Sequence, residues 1–253
     1  DNSVPSATVP RHAEQTVSFT SVRGGLIYQP ADSQSYYLSY STSFNPSLEA
    51  LTATAGQQNL DPETNRSYEV GAKWDPNEDL SFNAALFQTD KDNARTKVSD
   101  GVYTLDGKVR VRGFELGASG RLSKRWQVFA GYTYLDGKVL QASATDTTQA
   151  SGNTLGNTPR HTATVWTTYD LTRNWEVGGG ALYMSERYTS SADTVKVGGF
   201  TRLDATVAYH QPKYEIRLNV LNLANRAYYD GLQGTRAIPA AGRTALVTGT
   251  YRF

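Results

Sequence analysis

The sequence contains no cysteine, so neither a disulfide framework nor a zinc-thiolate site can be built from it. Histidine is nearly as scarce. His12, His161 and His210 lie scattered along 253 residues, a spacing that makes no metal site. An excess of one charge is also missing, because 25 Lys and Arg stand against 24 Asp and Glu. That balance provides no global field for nucleic acid or an anionic surface. No apolar run approaches the roughly 20 residues a membrane-spanning helix needs, and Asp1 to Pro10 lacks the apolar stretch of a signal peptide. If the chain crosses a membrane, it does so as strands. No Ser-His-Asp or paired-carboxylate constellation can be assembled, and Asp90-Lys91-Asp92-Asn93 lacks the glycine and remaining ligands of a calcium loop. No enzyme is expected.

What the sequence does have is 16 tyrosines, 22 glycines and a persistent period of two. Leu203, Ala205, Val207 and Tyr209 fall on one face, with Asp204, Thr206 and Ala208 on the other. After Gln211-Pro212-Lys213, the residues Tyr214, Ile216, Leu218 and Val220 alternate with Glu215, Arg217 and Asn219, which reads as strand, turn, strand. The same rule runs through Tyr36, Leu38 and Tyr40, through Tyr68, Val70, Ala72 and Trp74, and through Leu80, Phe82, Ala84 and Leu86. It continues from Trp126 to Tyr134, with Phe129 on the polar side, and Trp166 likewise falls on the polar side of its strand. About eleven antiparallel strands result. A helical reading fails on period, and Gly178-Gly179-Gly180 would cost a helix roughly 1 kcal/mol per glycine.

The connections alternate in length. Short ones are expected at 30–33, 76–78, 123–125, 171–174 and 211–213, and long polar loops at about 45–64, 90–108, 136–158, 186–198 and 224–242. Short turns at one rim and long loops at the other describe an outer-membrane β-barrel. A soluble sandwich or small barrel would show the same alternation. It would not need rings such as Tyr36, Trp74, Trp126, Tyr169, Trp175 and Tyr214 near the strand ends, where membrane interfaces favour them.

Several segments carry a family resemblance: Tyr40 to Ser47 (YSTSFNPS), Leu60 to Thr64 (LDPET), Tyr68 to Trp74 (YEVGAKW), Val111 to Leu116 (VRGFEL), Gly131 to Asp136 (GYTYLD), Asn157 to His161 (NTPRH) and Leu218 to Leu223 (LNVLNL). Together with Asn93 to Thr96, Trp166 to Asp170 and Pro239 to Arg243, they resemble the TonB-dependent siderophore receptors, most nearly those for ferric catecholates, over nearly the whole chain. The resemblance implies an all-β, antiparallel transmembrane β-barrel, with residues 1–253 as the C-terminal half of 22 strands. The plug domain and the first half of the barrel are expected to be absent from this chain. Such a half sheet would leave two unpaired edges and should not transport alone.

The resemblance further implies energised uptake of a ferric siderophore, with iron as cargo and no resident cofactor. Its partners would be TonB, through the missing plug, the barrel-assembly machinery and outer-membrane lipid, but no nucleic acid. An anionic, ring-rich ligand calls for Arg, Lys, Tyr and Trp, so the candidates are Tyr37 and Phe87 on the inner wall and Arg95, Arg187, Tyr188, Arg226, Tyr228, Tyr229 and Arg236 in or beside loops. The inward charges Glu69, Lys73, Glu115, Arg121, Arg202, Asp204, Glu215, Arg217 and Arg252 are expected to face a plug or a hydrated lumen. Tyr251 and Phe253 on the last strand resemble the signal read by the insertion machinery, with Gly249 one place off its usual spacing. Passive diffusion through a porin, a barrel serving only as an anchor, and a soluble carbohydrate-binding β-domain are the competing readings.

Overall fold

The computed structural model describes residues 16, 18–45, 61–99, 102–233 and 236–253. The segment 46–60, with most of the first expected loop, lies outside the described residues, as does His12. The strands in chain order are β1 (Arg23–Ala31), β2 (Gln34–Asn45), β3 (Glu63–Asn77), β4 (Leu80–Ser99), β5 (Val102–Ser123), β6 (Trp126–Gln141), β7 (His161–Asp170) and β8 (Trp175–Met184). They continue as β9 (Arg187–Tyr188), β10 (Lys196–Val197), β11 (Phe200–His210), β12 (Tyr214–Leu221), β13 (Tyr229–Gln233), β14 (Arg236–Pro239) and β15 (Thr244–Tyr251). Eleven of them form one antiparallel meander in the order β1-β2-β3-β4-β5-β6-β7-β8-β11-β12-β15, while β9-β10 and β13-β14 are small hairpins in the connections. The expected strand number and all five short turns are found.

Register decides which side chains share a face, because a one-residue slip would move every side chain of a strand to the other side. Leu38 pairs with Val70, Val70 with Leu86, Leu86 with Phe114 and Phe114 with Tyr134. Farther along, Ala181 pairs with Leu203, Val207 with Leu218 and Leu218 with Val247. The apolar sides of successive strands therefore join into one continuous apolar face. Nothing among the described residues covers it: Leu26 is 71% exposed, Val247 68% and Ile216 50%. The polar face is the crowded one, with Thr206 and Ala208 buried and Tyr37, Glu69 and Glu215 half-buried. Apolar outside and polar inside inverts the order of a water-soluble protein. Among the described residues no second layer packs on the apolar side, as a sandwich would require, and such a face suits an apolar medium.

The connections differ from expectation in one respect. The stretches 90–108 and 136–158, expected as long polar loops, are in part strand: β4 runs to Ser99, β5 begins at Val102 and β6 reaches Gln141. Backbone pairing outlasts the apolar alternation there because ion pairs take over from apolar side chains. Arg110 binds Asp90 at 2.5 Å, Lys91 binds Glu63 at 3.0 Å, and Arg66 pairs with Asp92. The loop that remains after β6 spans 142–160.

Candidate functional site

The polar face and the long-loop rim offer two sets of functional groups. On the wall, β2 and β3 bring Tyr37 beside Glu69, to which its hydroxyl donates at 2.5 Å. Gly71 on β3 makes room for the Tyr37 ring, since any Cβ there would run into it. Trp166 likewise lies across Gly180, where a Cβ would stand 2.6 Å from the ring. These inward rings cover glycines of the neighbouring strand, a device that pins register.

Toward the short-turn rim, Arg217 donates from Nε to Glu215 at 3.0 Å and from Nη1 to Glu176 at 2.8 Å, and His210 Nδ1 stands 3.1 Å from Glu215. Higher up, Arg202 Nε donates to Asp204 at 3.0 Å, and Asp204 also accepts from the Asn222 amide at 2.9 Å. Lys73 pairs with Asp75 at 3.0 Å. Register puts Glu115 beside Thr133 and Arg121 beside Gln127 on this same face. Arg252 follows Thr250, the partner of Glu215, and its amide donates to the Lys213 carbonyl at 2.8 Å just past the end of β15. Eight of the nine expected inward charges thus belong to one polar wall by register, and Arg252 continues its alternation. Glu176 and His210 join that wall, although neither was anticipated; Glu176 sits at an inward position whose partner across two strands only register reveals.

At the other rim the connections are tied to one another. Asp146, buried in the 142–160 loop, accepts from the Lys97 amide at 2.8 Å and from the Thr148 amide and hydroxyl at 2.8 and 2.6 Å. Burial pushes its carboxyl up, but the Thr148, Lys97 and Gln149 donors outweigh burial and hold it below the usual carboxylate range. Gln149 also donates to the Arg95 carbonyl, which fastens this loop to the β4-β5 hairpin. On the far side, the Thr154 amide donates to Asp193 and the Gly156 amide to Ser191, both in the β9-β10 hairpin. Asn222, with a positive φ of 52°, donates to the carbonyls of Arg226 and Ala241 and closes the β12-β15 connection.

These ties settle where the expected ligand residues stand. Arg187 is buried, with its guanidinium donating to Asn157 Oδ1, Met184 Sδ and the Asp230 carbonyl, so it joins three connections. Burial lowers its pKa from the ordinary guanidinium value, with the nearby Asp230 opposing. Tyr228 is buried and stacks on Phe200 at 4.2 Å, and Lys196 lies 4.9 Å over the Tyr188 ring. Arg226, Tyr229 and Arg236 are exposed on the β12-β15 connection. Arg95, half-buried at the β4-β5 hairpin, takes its amide to Glu63 at 3.1 Å. The structure therefore brings Arg187 to the connection that carries Arg226, Tyr228, Tyr229 and Arg236. Tyr37 and Phe87 stand apart from them on the wall of β2 and β4.

Residues 1–223 match the family described as TonB dependent receptor-like, beta-barrel. The probable TonB-dependent siderophore receptor PiuA of Acinetobacter baumannii is 33% identical over 95% of this chain and 35% of its own length. The catecholate siderophore receptor Fiu of Escherichia coli K12 is 30% identical over 91% of this chain and 32% of its own length. The crystal structure of the siderophore receptor PiuA from Acinetobacter baumannii superposes with a TM-score of 0.84 at 32% identity, over 90% of this chain and 35% of that one. The closed form of Fiu gives 0.79 at 29% identity, over 91% and 34%. The chain spans about a third of the length of the curated relatives it matches.

Proposed function

The chain belongs to the TonB-dependent receptor-like β-barrel family, and we propose that it forms the C-terminal half of a 22-stranded receptor that takes up a ferric siderophore, of catecholate type, on energy delivered through TonB. The family is one of outer-membrane transport receptors, and its barrel setting accounts for an eleven-stranded sheet with its apolar side outward. The observation that carries the proposal is the match to PiuA and Fiu along nearly the whole chain, joined to a polar inner wall below a rim of interlocked connections.

In this reading the exposed Arg226, Tyr229 and Arg236 meet the anionic, ring-bearing complex first, through charge and stacking contacts. Arg187 and Tyr228 hold the connection that presents them. Arg202, Asp204, Glu215, Arg217 and the other inward charges offer hydrogen bonds to a plug, and Tyr37 and Phe87 line the passage beneath. The test is uptake of an iron-55-loaded catecholate by the complete receptor, in cells lacking other catecholate receptors, with and without TonB. Uptake that needs TonB supports the proposal. Uptake undiminished without TonB supports the porin reading instead.

A further inference from the structure

Phe129 and Trp166 break the apolar alternation of their strands, and neither has a task in the uptake reading. Register pairs Phe129 with Ser119 on one side and with Trp166 on the other, so both rings stand on the polar inner wall. Covering Gly180 accounts for Trp166. Phe129 is the near neighbour of no described glycine, and it stands 58% exposed. A ring left open to water on a polar wall offers a face for stacking. The pair also lies low in the barrel. The row of Phe87 crosses β6 at Leu135, six residues above Phe129, which is about 20 Å along the strand at roughly 3.4 Å per residue.

The two rings line a hollow of about 570 Å³ together with Arg121, Gln127 and Thr168. That volume falls within the range of small-molecule sites. Two guanidiniums reach the hollow, and they differ. Arg217 is taken, with Glu215 at 3.0 Å and Glu176 at 2.8 Å, whereas Arg121 is exposed and makes no ion pair among the described residues. Ring faces beside an open guanidinium, with amide and hydroxyl donors at hand, suit a ring that carries negative charge. We propose that Phe129, Trp166 and Arg121 form a transit site low on the inner wall, which takes one ring of a ferric catecholate after it leaves the capture residues at the long-loop rim. Glu78 and Asp79, on the β3-β4 turn, line the same hollow and repel the same anion, so the site passes its ligand on and does not store it. The inference rests on the uptake reading. It adds a second, lower ligand site and gives Arg121 a role other than hydrogen bonds to a plug.

The experiment uses the complete receptor in cells lacking other catecholate receptors, with an iron-55-loaded catecholate as the probe. Phe129→Leu keeps an apolar side chain and removes the ring, Phe129→Tyr keeps the ring, and Arg121→Gln removes the charge. Capture at the cell surface, measured without TonB, should match wild type in all three, because the rim residues are untouched. With TonB, Phe129→Leu and Arg121→Gln should each lower the maximal uptake rate about three- to tenfold at an unchanged half-saturating concentration, while Phe129→Tyr keeps most of the rate. An unchanged rate in Phe129→Leu and Arg121→Gln, or equal losses in Phe129→Leu and Phe129→Tyr, would overturn the proposal. Entry of a bulky glycopeptide antibiotic, excluded by wild-type cells, into cells carrying Phe129→Leu would overturn it too, since the ring would then be holding a plug in place. Heat-modifiable migration on gels reports the folding of each variant, and Phe129→Ile takes the place of Phe129→Leu if the latter does not fold. A wild-type receptor without TonB-dependent uptake defeats the receptor reading itself, whereas variants that import iron as fast as an active wild type defeat only the transit site.

Discussion

Leu246 and Val247 are neighbours on β15, both apolar and both largely exposed, yet they lie on opposite sides of the sheet. Val247 pairs with Leu218 on the apolar side, while Leu246 pairs with Asn219 on the polar side. Placing arginine at each in turn isolates the effect of the face. Val247 is four residues above Tyr251, a ring of the short-turn rim, which is about 14 Å along the strand at roughly 3.4 Å per residue. With a strand tilt of about 40°, that is roughly 10 Å along the membrane normal, close to the middle of an apolar band about 25 Å tall. Arginine facing lipid there costs about 2 to 4 kcal/mol. At about 1.36 kcal/mol per factor of ten, Val247→Arg should lower the folding equilibrium roughly 30- to 900-fold. Leu246→Arg faces a polar lumen and should cost about 1 kcal/mol or less. Urea titration of the complete receptor folding into lipid vesicles, followed by tryptophan fluorescence, measures both. Equal losses, or a larger loss for Leu246→Arg, would refute the assignment of faces.

Three further outcomes follow from the same geometry. Asp146→Ala should speed amide hydrogen exchange at Lys97 and Thr148 at neutral pH, by loss of a charged acceptor worth about 1 to 3 kcal/mol. Because the folded carboxyl is held below its ordinary value near 3.9, that protection is full above about pH 4 and disappears as pH falls through the folded value, where wild type should converge on the variant. Gly71→Val should destabilise the barrel by about 1 to 3 kcal/mol by colliding with the Tyr37 ring. Tyr37→Ala in the same chain should recover most of that in a double-mutant cycle, and strictly additive losses would show that the two positions do not touch. Cysteine at Thr148 in the complete receptor should react with an impermeant thiol reagent on intact cells and cysteine at Pro212 should not, since long connections face outside and short turns the periplasm. The reverse labelling would invert the topology.

The strand count, the short turns and the common side of charges such as Glu69, Lys73, Asp204 and Arg217 were legible because a period of two registers face directly, and antiparallel pairing then carries one face from strand to strand. Legibility failed where both faces turn polar. Around Asp90, Lys91, Arg110 and Arg112 the alternation dissolves although β4 and β5 stay paired, since cross-strand ion pairs leave no apolar trace. The rim was harder still. Nothing local joins Phe200 to Tyr228 or Asp146 to Lys97, so Phe200 and Asp146 were not picked out as anchors. Arg187 was recognisable as a loop arginine but not as a buried strut, because its three acceptors come from residues 157, 184 and 230. Asn222 carried a weak signal. Asparagine is among the residues that most readily take positive φ, and the Leu221-Asn222-Leu223-Ala224-Asn225 stretch places two of them, at 52° and 49°, at the turn out of β12.

The central proposal is that the apolar side of this sheet meets lipid and the polar side lines the interior of a receptor. Spin labels placed one at a time from Arg202 to Tyr209 in the complete receptor, in lipid vesicles, test it through their accessibility to oxygen, which concentrates in the bilayer. Labels at 203, 205, 207 and 209 should be oxygen-accessible and those at 202, 204, 206 and 208 should not, in a strict period of two. High accessibility at the even positions, or no alternation along β11, would contradict it.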